Sequence, residues 1–114
     1  YNIKNAFVRG RLFRSNTPPN GAFRGFGAPQ ALFPIEAHID KIAAEINLDP
    51  YEFRKLNIFK IDDEFPSSQK ITENHLVDCL EQVIEKSDYK KKVAEFSQYN
   101  KTHSDKKGIG ISIG

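Results

Sequence analysis

With 114 residues, of which 39% are hydrophobic and 28% charged, the chain has the composition of an ordinary globular protein and the length of one modest domain. Its formal net charge of +2 is too small to indicate a nucleic-acid partner. No segment has the length and apolarity of a membrane span and no signal peptide opens the chain, so we expect a cytoplasmic protein without a membrane partner.

Residues 1–15 predict one or two short strands. Their apolar residues come in small groups separated by polar ones, with Gly10 as an interruption. The apolar positions are Ile3, Phe7, Val8, Leu12 and Phe13. The same segment carries Arg9, Arg11 and Arg14, which either form a solvated edge, the commoner case, or face an anionic partner.

Residues 16–30 form the loop around which the chain is organised. Gly21, Gly25 and Gly27 flank two phenylalanines and Arg24, and Pro29 suits the first position of a helix. Glycine permits sharp turns and close approach of the backbone to a ligand, and arginine offers a rigid fork of donors to an anion. Spacing alone favours a plain turn between a strand and a helix, and a ligand-holding loop is the functional alternative.

Residues 31–103 predict a helical segment. Apolar residues at steps of three and four place a first helix from Pro29, in which Pro34 causes either a kink or a fresh start. Asp49 is a typical N-cap for a short second helix that runs to about Asn57, with Phe53 and Leu56 expected in the core.

Two more helices complete this segment. Thr72 is the expected cap of a third helix, whose apolar stripe has helical spacing and is formed by Leu76, Cys79, Leu80, Val83 and Ile84. Because Cys79 lies on this stripe, we expect it to be a small core residue and not a nucleophile. A fourth helix begins at Ser87 or Asp88.

Residues 108–114 predict a terminal strand. Isoleucine alternates with glycine or serine at period two, which gives a strand one apolar face. Together with the strands expected in residues 1–15, this makes the predicted fold class α+β, with about four helices.

The residues of metal and redox chemistry form no recognisable site. His38, His75 and His103 are far apart in the sequence and have no metal-ligand spacing. As the only cysteine, Cys79 excludes an intrachain disulfide and an iron–sulfur cluster held by this chain. We therefore assign no metal ligand and no catalytic residue within residues 1–114.

Gly-Ala-Phe-Arg-Gly-Phe-Gly-Ala-Pro-Gln, residues 21–30, resembles the molybdopterin-contacting motif of the xanthine dehydrogenase and aldehyde oxidase family. The resemblance extends to both sides and covers most of the chain, weakening between Phe59 and Thr72. Its supporting positions are Tyr1 to Asn5, Thr17, Pro19, Gln30 to Phe33, Glu36, Asp49-Pro50, Glu52, Arg54 and Asn57. Pro34 departs from the helix former expected at that position.

The resemblance implies a role for four residues of the loop. Arg24 would contact the molybdopterin-bound centre, and Phe23 and Gly25 would bring backbone close to the same cofactor. Phe26 would stack on a flat substrate ring, on the same side of an extended segment as Arg24 because side chains at i and i+2 point the same way. A core phenylalanine is the alternative for Phe26.

The resemblance also implies the setting of this chain. Residues 1–114 would be a fragment of the molybdopterin-binding domain of a hydroxylase that oxidises a purine or another N-heterocycle, or an aldehyde, with water as the oxygen source. The rest of the molybdenum subunit would supply the general base, and iron–sulfur clusters and FAD would lie on partner domains or subunits. A non-catalytic helical interaction module is the alternative of another class.

Overall fold

A computed structural model describes residues 1–114 and contains four helices. These are α1 (Ala28–Glu45), α2 (Pro50–Asn57), α3 (Leu76–Lys86) and α4 (Tyr89–Thr102). α1 packs on α2, and α3 packs on α4. The structure has no strand, and a single isolated bridge joins Glu64 and Lys70. The α+β prediction is therefore wrong, although the chain has the expected number of helices.

The N-terminal segment forms no strand because it has no neighbour with which to pair. Phe7, Val8 and Leu12 are about 90% exposed or more, and the segment's backbone contact with the rest of the chain is a 2.7 Å hydrogen bond from the N–H of Asn2 to the carbonyl of Asn57. A strand needs a partner for its N–H and C=O groups, so propensity alone does not create one.

The predicted terminal strand, residues 108–114, is wrong for the same reason. Ile109, Ile111 and Ile113 are half-buried against the core while the residues between them are exposed, so the period-two pattern does report one buried face. The backbone groups of the segment form no ladder, and the N–H of Ile113 donates instead to Glu36 Oε2 at 3.3 Å. Alternation predicts which side is buried, and pairing depends on a second strand.

α1 is one continuous helix that contains Pro34 in its interior. A restart after Pro34 is thus not observed. The helix ends at Glu45, and the chain turns away two residues later at Asn47. Asn47 has a φ of 55° and donates its N–H to the carbonyl of Ala44, while the N–H of Leu48 reaches the carbonyl of Ala43 at 2.9 Å. These two bonds form a Schellman cap, in which asparagine takes the left-handed position usually held by glycine.

α2 begins at the predicted cap but buries a different face from the predicted one. The Asp49 carboxylate accepts the N–H of Tyr51 at 2.8 Å, which satisfies an otherwise free donor of the first turn. The buried side chains are those of Tyr51 and Arg54, whereas Leu56 is 70% exposed. The predicted burial of Leu56 is wrong because ion pairing, which hydrophobic periodicity does not report, turns Arg54 inward.

α3 starts four residues later than its predicted cap at Thr72. The Asn74 carboxamide oxygen accepts the N–H of Leu76 at 2.9 Å and so supplies the cap from outside the helix. Cys79 is exposed, which corrects its assignment to the core. No helix of the chain combines the length and apolarity needed to cross a membrane.

The hydrophobic core is small and lies where α2, α3 and α4 meet. Only eight of the 114 residues are buried, and five of them form this core. Its members are Tyr51, Ile58, Leu80, Ile84 and Tyr89. Ile39 and Ala43 of α1 are buried outside this cluster, and Arg54 is the one buried charged residue.

Candidate functional site

The glycine-rich loop ends in a tight turn that leads directly into α1. Three successive residues, Gly25, Phe26 and Gly27, have φ angles of 95°, 48° and 91°. The N–H of Phe26 donates to the carbonyl of Phe23 at 2.9 Å, and the N–H of Ala28 donates to the carbonyl of Gly25 at 2.9 Å. Positive φ is routine only for glycine, so the two glycines allow the chain to reverse within a few residues.

Gly25 is further restricted by its contact with the first turn of the helix. A Cβ atom at this position would lie 2.7 Å from Cδ and 2.8 Å from Cγ of Pro29. A Cβ at Gly27 would meet nothing within 4 Å. A side chain at position 25 is therefore disfavoured both by the positive φ angle and by the lack of space. At position 27 it is disfavoured by the φ angle alone.

The turn changes the expected relation between Arg24 and Phe26. These residues lie within the turn and not in an extended segment, so the rule that side chains at i and i+2 share a side does not apply to them. Phe26 is 90% exposed and Phe23 is 79% exposed. Neither ring belongs to the hydrophobic core of this chain, and both are available to a ligand or to another part of a larger protein.

The turn presents hydrogen-bond donors that have no acceptor within the chain. Arg24 is exposed and forms neither an ion pair nor a side-chain hydrogen bond. The backbone N–H groups of Arg24, Gly25 and Gly27 likewise donate to no group in the chain. A guanidinium beside several free N–H groups at the start of a helix matches the charge and hydrogen-bonding needs of an anionic group such as a phosphate or a pterin-linked oxo centre. The donor set therefore fits an anionic cofactor.

The three arginines of the N-terminal segment are also exposed. Arg9, Arg11 and Arg14 form no ion pair within the chain. They do not share the constrained backbone of the turn, and this separates them from Arg24.

A second arginine, Arg54, has the opposite environment. Its side chain is fully buried, and all five of its N–H donors are used. Nε and Nη2 donate to Glu36 Oε2 at 3.0 and 2.9 Å, and Nη1 donates to Asp40 Oδ1 at 2.7 Å. The carbonyls of Glu36 and Pro50 accept the remaining two donors at 3.3 and 3.2 Å. The Tyr1 hydroxyl donates to Glu36 Oε1 at 2.7 Å, and we call Arg54, Glu36, Asp40 and Tyr1 the buried clamp.

The buried clamp shifts the titration of two of its members. Burial and the hydrogen bond to Glu36 raise the pKa of Tyr1 well above its ordinary value of 10.0, so the phenol stays neutral and continues to donate. Burial opposes the charge on Arg54, but its hydrogen bonds to Asp40 and Glu36 outweigh that effect and raise the pKa of the guanidinium. Both shifts extend to higher pH the range in which the Tyr1 hydroxyl and the Arg54 guanidinium keep the protons that they donate.

Sequence reasoning did not identify the buried clamp as a unit. Glu36 and Asp40 are four residues apart on α1 and therefore share a face. Such a pair of carboxylates predicts that a cationic side chain of a neighbouring element packs against that face. Which of the chain's cations occupies that face depends on how α1 and α2 pack. The family pattern includes Arg54 but implies no structural role for it.

A mostly apolar cleft lies away from the glycine-rich turn. It has a volume of about 630 Å³ and is formed by α1, α2 and the first residues of the chain. Its lining is mostly apolar and consists of Tyr1, Asn2, Ile3, Pro34, Ile35, His38, Ile39, Ile42, Phe53 and Asn57. None of the four residues predicted to bind cofactor or substrate lines it, so volume alone does not mark the predicted site.

The chain brings together no group of three or more histidine, cysteine, aspartate or glutamate side chains that could hold a metal ion. His75 contacts Glu73 at 2.7 Å on the surface, and His103 stacks on Tyr99 at 3.7 Å between ring centroids. These histidines thus make local contacts at the ends of helices.

Comparisons with known proteins agree with the chemistry of the turn. The family model described as molybdopterin cofactor-binding domain matches residues 1–58. A nicotinate hydroxylase of Emericella nidulans is 37% identical over 113 residues, a xanthine dehydrogenase of the same organism 36% over 112, and aldehyde oxidase 3 of Rattus norvegicus 40% over 114. Each alignment covers 97% of this chain and 8% of the relative, so the chain spans about one twelfth of the length of these proteins.

Proposed function

The chain belongs to the molybdopterin cofactor-binding domains of the xanthine dehydrogenase and aldehyde oxidase family, and from this premise we propose that residues 16–30 form one wall of a molybdenum hydroxylase active site. The observation that supports the proposal most strongly is the turn at Arg24. Its guanidinium and nearby N–H groups have no partner in the chain, and the turn that carries them is permitted by Gly25 and Gly27 and closed by two backbone hydrogen bonds.

We assign the cofactor contacts to Arg24, Phe23 and Gly25. The Arg24 fork would donate to an anionic oxygen of the molybdenum cofactor, with its charge offsetting that of the oxygen. Gly25 has no side chain between its backbone N–H and an approaching ligand, and the carbonyl of Phe23 closes the turn that fixes this N–H. These residues bind and orient, whereas the cofactor, when bound, supplies the redox chemistry.

The reaction that this site would serve is a hydroxylation. A ring or aldehyde C–H and one water molecule give C–OH or a carboxylic acid, with release of two electrons and two protons. The electrons would pass to iron–sulfur clusters and FAD on partner domains or subunits. No residue of this chain is assigned as the general base, since the Glu36 carboxylate is held by Arg54 and Tyr1.

The exposed ring of Phe26 can stack on a flat heteroaromatic ring, which supports a heteroaromatic substrate. We propose an N-heterocycle such as a purine, as the relatives named for xanthine and nicotinate indicate. An aldehyde is the second candidate, and the 40% identity to aldehyde oxidase 3 supports it. The alternative of a non-catalytic interaction module is set aside by the family membership.

We further propose that the remainder of the molybdenum subunit covers the exposed apolar residues of the N-terminal segment, that iron–sulfur clusters lie on partner domains or subunits, and that the enzyme is cytoplasmic. The exposed side chains of Phe7, Leu12 and Phe13 support the first part. A chain with one cysteine cannot supply the ligands of an iron–sulfur cluster, which supports the location of the clusters on partners.

The test is to change Arg24 in the complete enzyme. Arg24→Ala should lower the molybdenum content and the turnover by about tenfold or more, because a charge-assisted contact to the cofactor is lost. Arg24→Lys should recover only part of this, since a point charge cannot reproduce the fork. Arg14→Ala, which removes an exposed arginine outside the turn, is the matched control. Full molybdenum content and normal turnover in Arg24→Ala would contradict the assignment.

A further inference from the structure

We propose that the buried clamp sets the position of the glycine-rich turn, which makes Arg54 and Glu36 positioning residues for the cofactor contact of Arg24. The inference rests on the proposed function of the turn. It concerns residues that touch neither cofactor nor substrate in that proposal and that act through α1.

The first step is that α1 and the turn are one continuous unit. Gly27 is the residue that precedes the helix, and its carbonyl accepts the N–H of Ala31 at 2.9 Å. Ala28 is likewise bonded to Gly25. A rotation or shift of the first turns of α1 therefore moves the backbone that carries Arg24 by a similar distance.

The second step is that little else holds the N-terminal half of α1. The buried residues of this helix, Ile39 and Ala43, both lie in its second half. In the first half, Leu32 and Ile35 are 40% and 48% exposed, and Phe33 is 78% exposed. Within this chain, Glu36 is thus the side chain nearest the turn that makes several fixed contacts.

The third step is that Glu36 joins parts of the chain on both sides of the turn. Its carboxylate accepts Tyr1 from before the turn, and Arg54 and the N–H of Ile113 from after it. Arg54 spans Glu36 and Asp40 with its fork, which fixes both the height and the rotation of α1 relative to α2. A lysine has one nitrogen and cannot occupy both carboxylate positions in this way.

The experiment compares clamp variants in the complete enzyme by molybdenum content per protein, measured well below the melting temperature. Arg54→Lys should lower the content about tenfold, as losing an orienting partner does in metal sites. Tyr1→Phe keeps the ring, removes a single hydrogen bond and should lower the molybdenum content about threefold. Lys55→Gln removes an exposed ion pair to Glu81 between α2 and α3 and serves as the control, with no expected change.

Double variants that combine a clamp substitution with Arg24→Ala distinguish a positioning effect on the turn from a general loss of stability. If the clamp acts through the turn, Arg54→Lys or Tyr1→Phe should lower the molybdenum content by less than about twofold further once Arg24→Ala is present. Losses that multiply in the double variants would overturn the inference, and so would unchanged content in both single variants. If Arg54→Lys gives no soluble enzyme, Tyr1→Phe decides by the same two criteria.

The result for Arg24→Ala also distinguishes failure of the proposed function from failure of the positioning role. Normal molybdenum content in Arg24→Ala overturns the proposed function of the turn, and the inference falls with it. A loss in Arg24→Ala together with clamp variants that behave like Lys55→Gln overturns the positioning role alone.

Discussion

The two arginines of this chain that matter most show how environment decides the role of a side chain. Arg24 is exposed and has no partner, which leaves its five donors available to a ligand. Arg54 is fully buried and uses every donor within the protein. Burying an unpaired guanidinium would be very costly, so Arg54 depends on Glu36 and Asp40. In our proposal the same residue type binds a ligand at position 24, whereas at position 54 it joins two helices.

At the residue scale we predict a substrate-dependent effect of Phe26→Ala. Because Phe26 packs on no core residue of this chain and the proposal places its ring against the substrate, the melting temperature of the complete enzyme should change little. Lost stacking of about 1 kcal/mol should reduce kcat/KM about fivefold more for a flat heteroaromatic substrate than for a small aliphatic aldehyde. Steady-state kinetics with one substrate of each kind, together with a melting curve, measures both quantities.

Phe7→Ala is the matched control for Phe26→Ala, since Phe7 is 89% exposed and lies outside the loop. It should leave the ratio of the two kcat/KM values unchanged. Equal losses on both substrates with a large fall in melting temperature would show that Phe26 is a structural residue in the complete enzyme.

At the scale of the element, α1 depends on the turn that precedes it. No side chain caps the N-terminus of α1, and its start is set by Gly27 and by the proline in its first turn. The helix then continues through Pro34, which can donate no hydrogen bond. The stability of α1 therefore depends on the turn before it, on the Schellman cap after it and on the buried clamp more than on the helix propensity of its residues.

A graded series of glycine substitutions tests this account of the turn. Gly27→Ala should cost about 1–2 kcal/mol of stability, because alanine is strained at a φ of 91°. Gly25→Ala should cost more, because the added Cβ also meets the Pro29 ring at 2.7 Å. Gly21→Ala, where a Cβ meets nothing within 4 Å, should be nearly neutral.

The measurement for the glycine series is the melting temperature and molybdenum content of each variant of the complete enzyme. The expected order of loss is Gly25→Ala, then Gly27→Ala, then Gly21→Ala. A Gly25→Ala enzyme as stable and as well loaded as Gly21→Ala would show that the turn adopts another conformation in the complete enzyme.

At the scale of the whole molecule, the chain exposes far more surface than a compact protein of its size. Its radius of gyration is 17.9 Å, compared with about 13 Å for a compact chain of roughly this length. Its accessible surface is 9759 Å², whereas the scaling of compact monomers gives roughly 6,300 Å² for 13.0 kDa. With eight buried residues, the chain has little hydrophobic burial to offset the entropy of ordering it.

We therefore predict that residues 1–114, expressed alone, unfold without a sharp transition. The expected observations are a broad, weakly cooperative melting curve and strong binding of a hydrophobic dye, because apolar residues such as Phe7, Leu12 and Phe26 are exposed. Calorimetry and dye fluorescence at several protein concentrations would test this. A clean monomer with a sharp cooperative transition would contradict it.

Several features were determined by the sequence itself. The caps at Asp49 and Asn47, the glycine turn before α1 and the four helices depend on local backbone preferences, which neighbouring residues encode. The decapeptide of residues 21–30 also led to the family, because its chemistry is contained in one short segment. The alternation of Ile109, Ile111 and Ile113 correctly indicated one buried face.

Other features were decided only by the tertiary structure, because they depend on distant partners. The strands expected in residues 1–15 and 108–114 are absent, since a strand exists only when a second strand satisfies its backbone groups. Cys79 lies on an apolar stripe and is nevertheless exposed, because the part of that stripe that faces α2 and α4 carries Leu80 and Ile84. The buried clamp could not be read from spacing, since Arg54 meets Glu36 and Asp40 only after α1 and α2 have packed together.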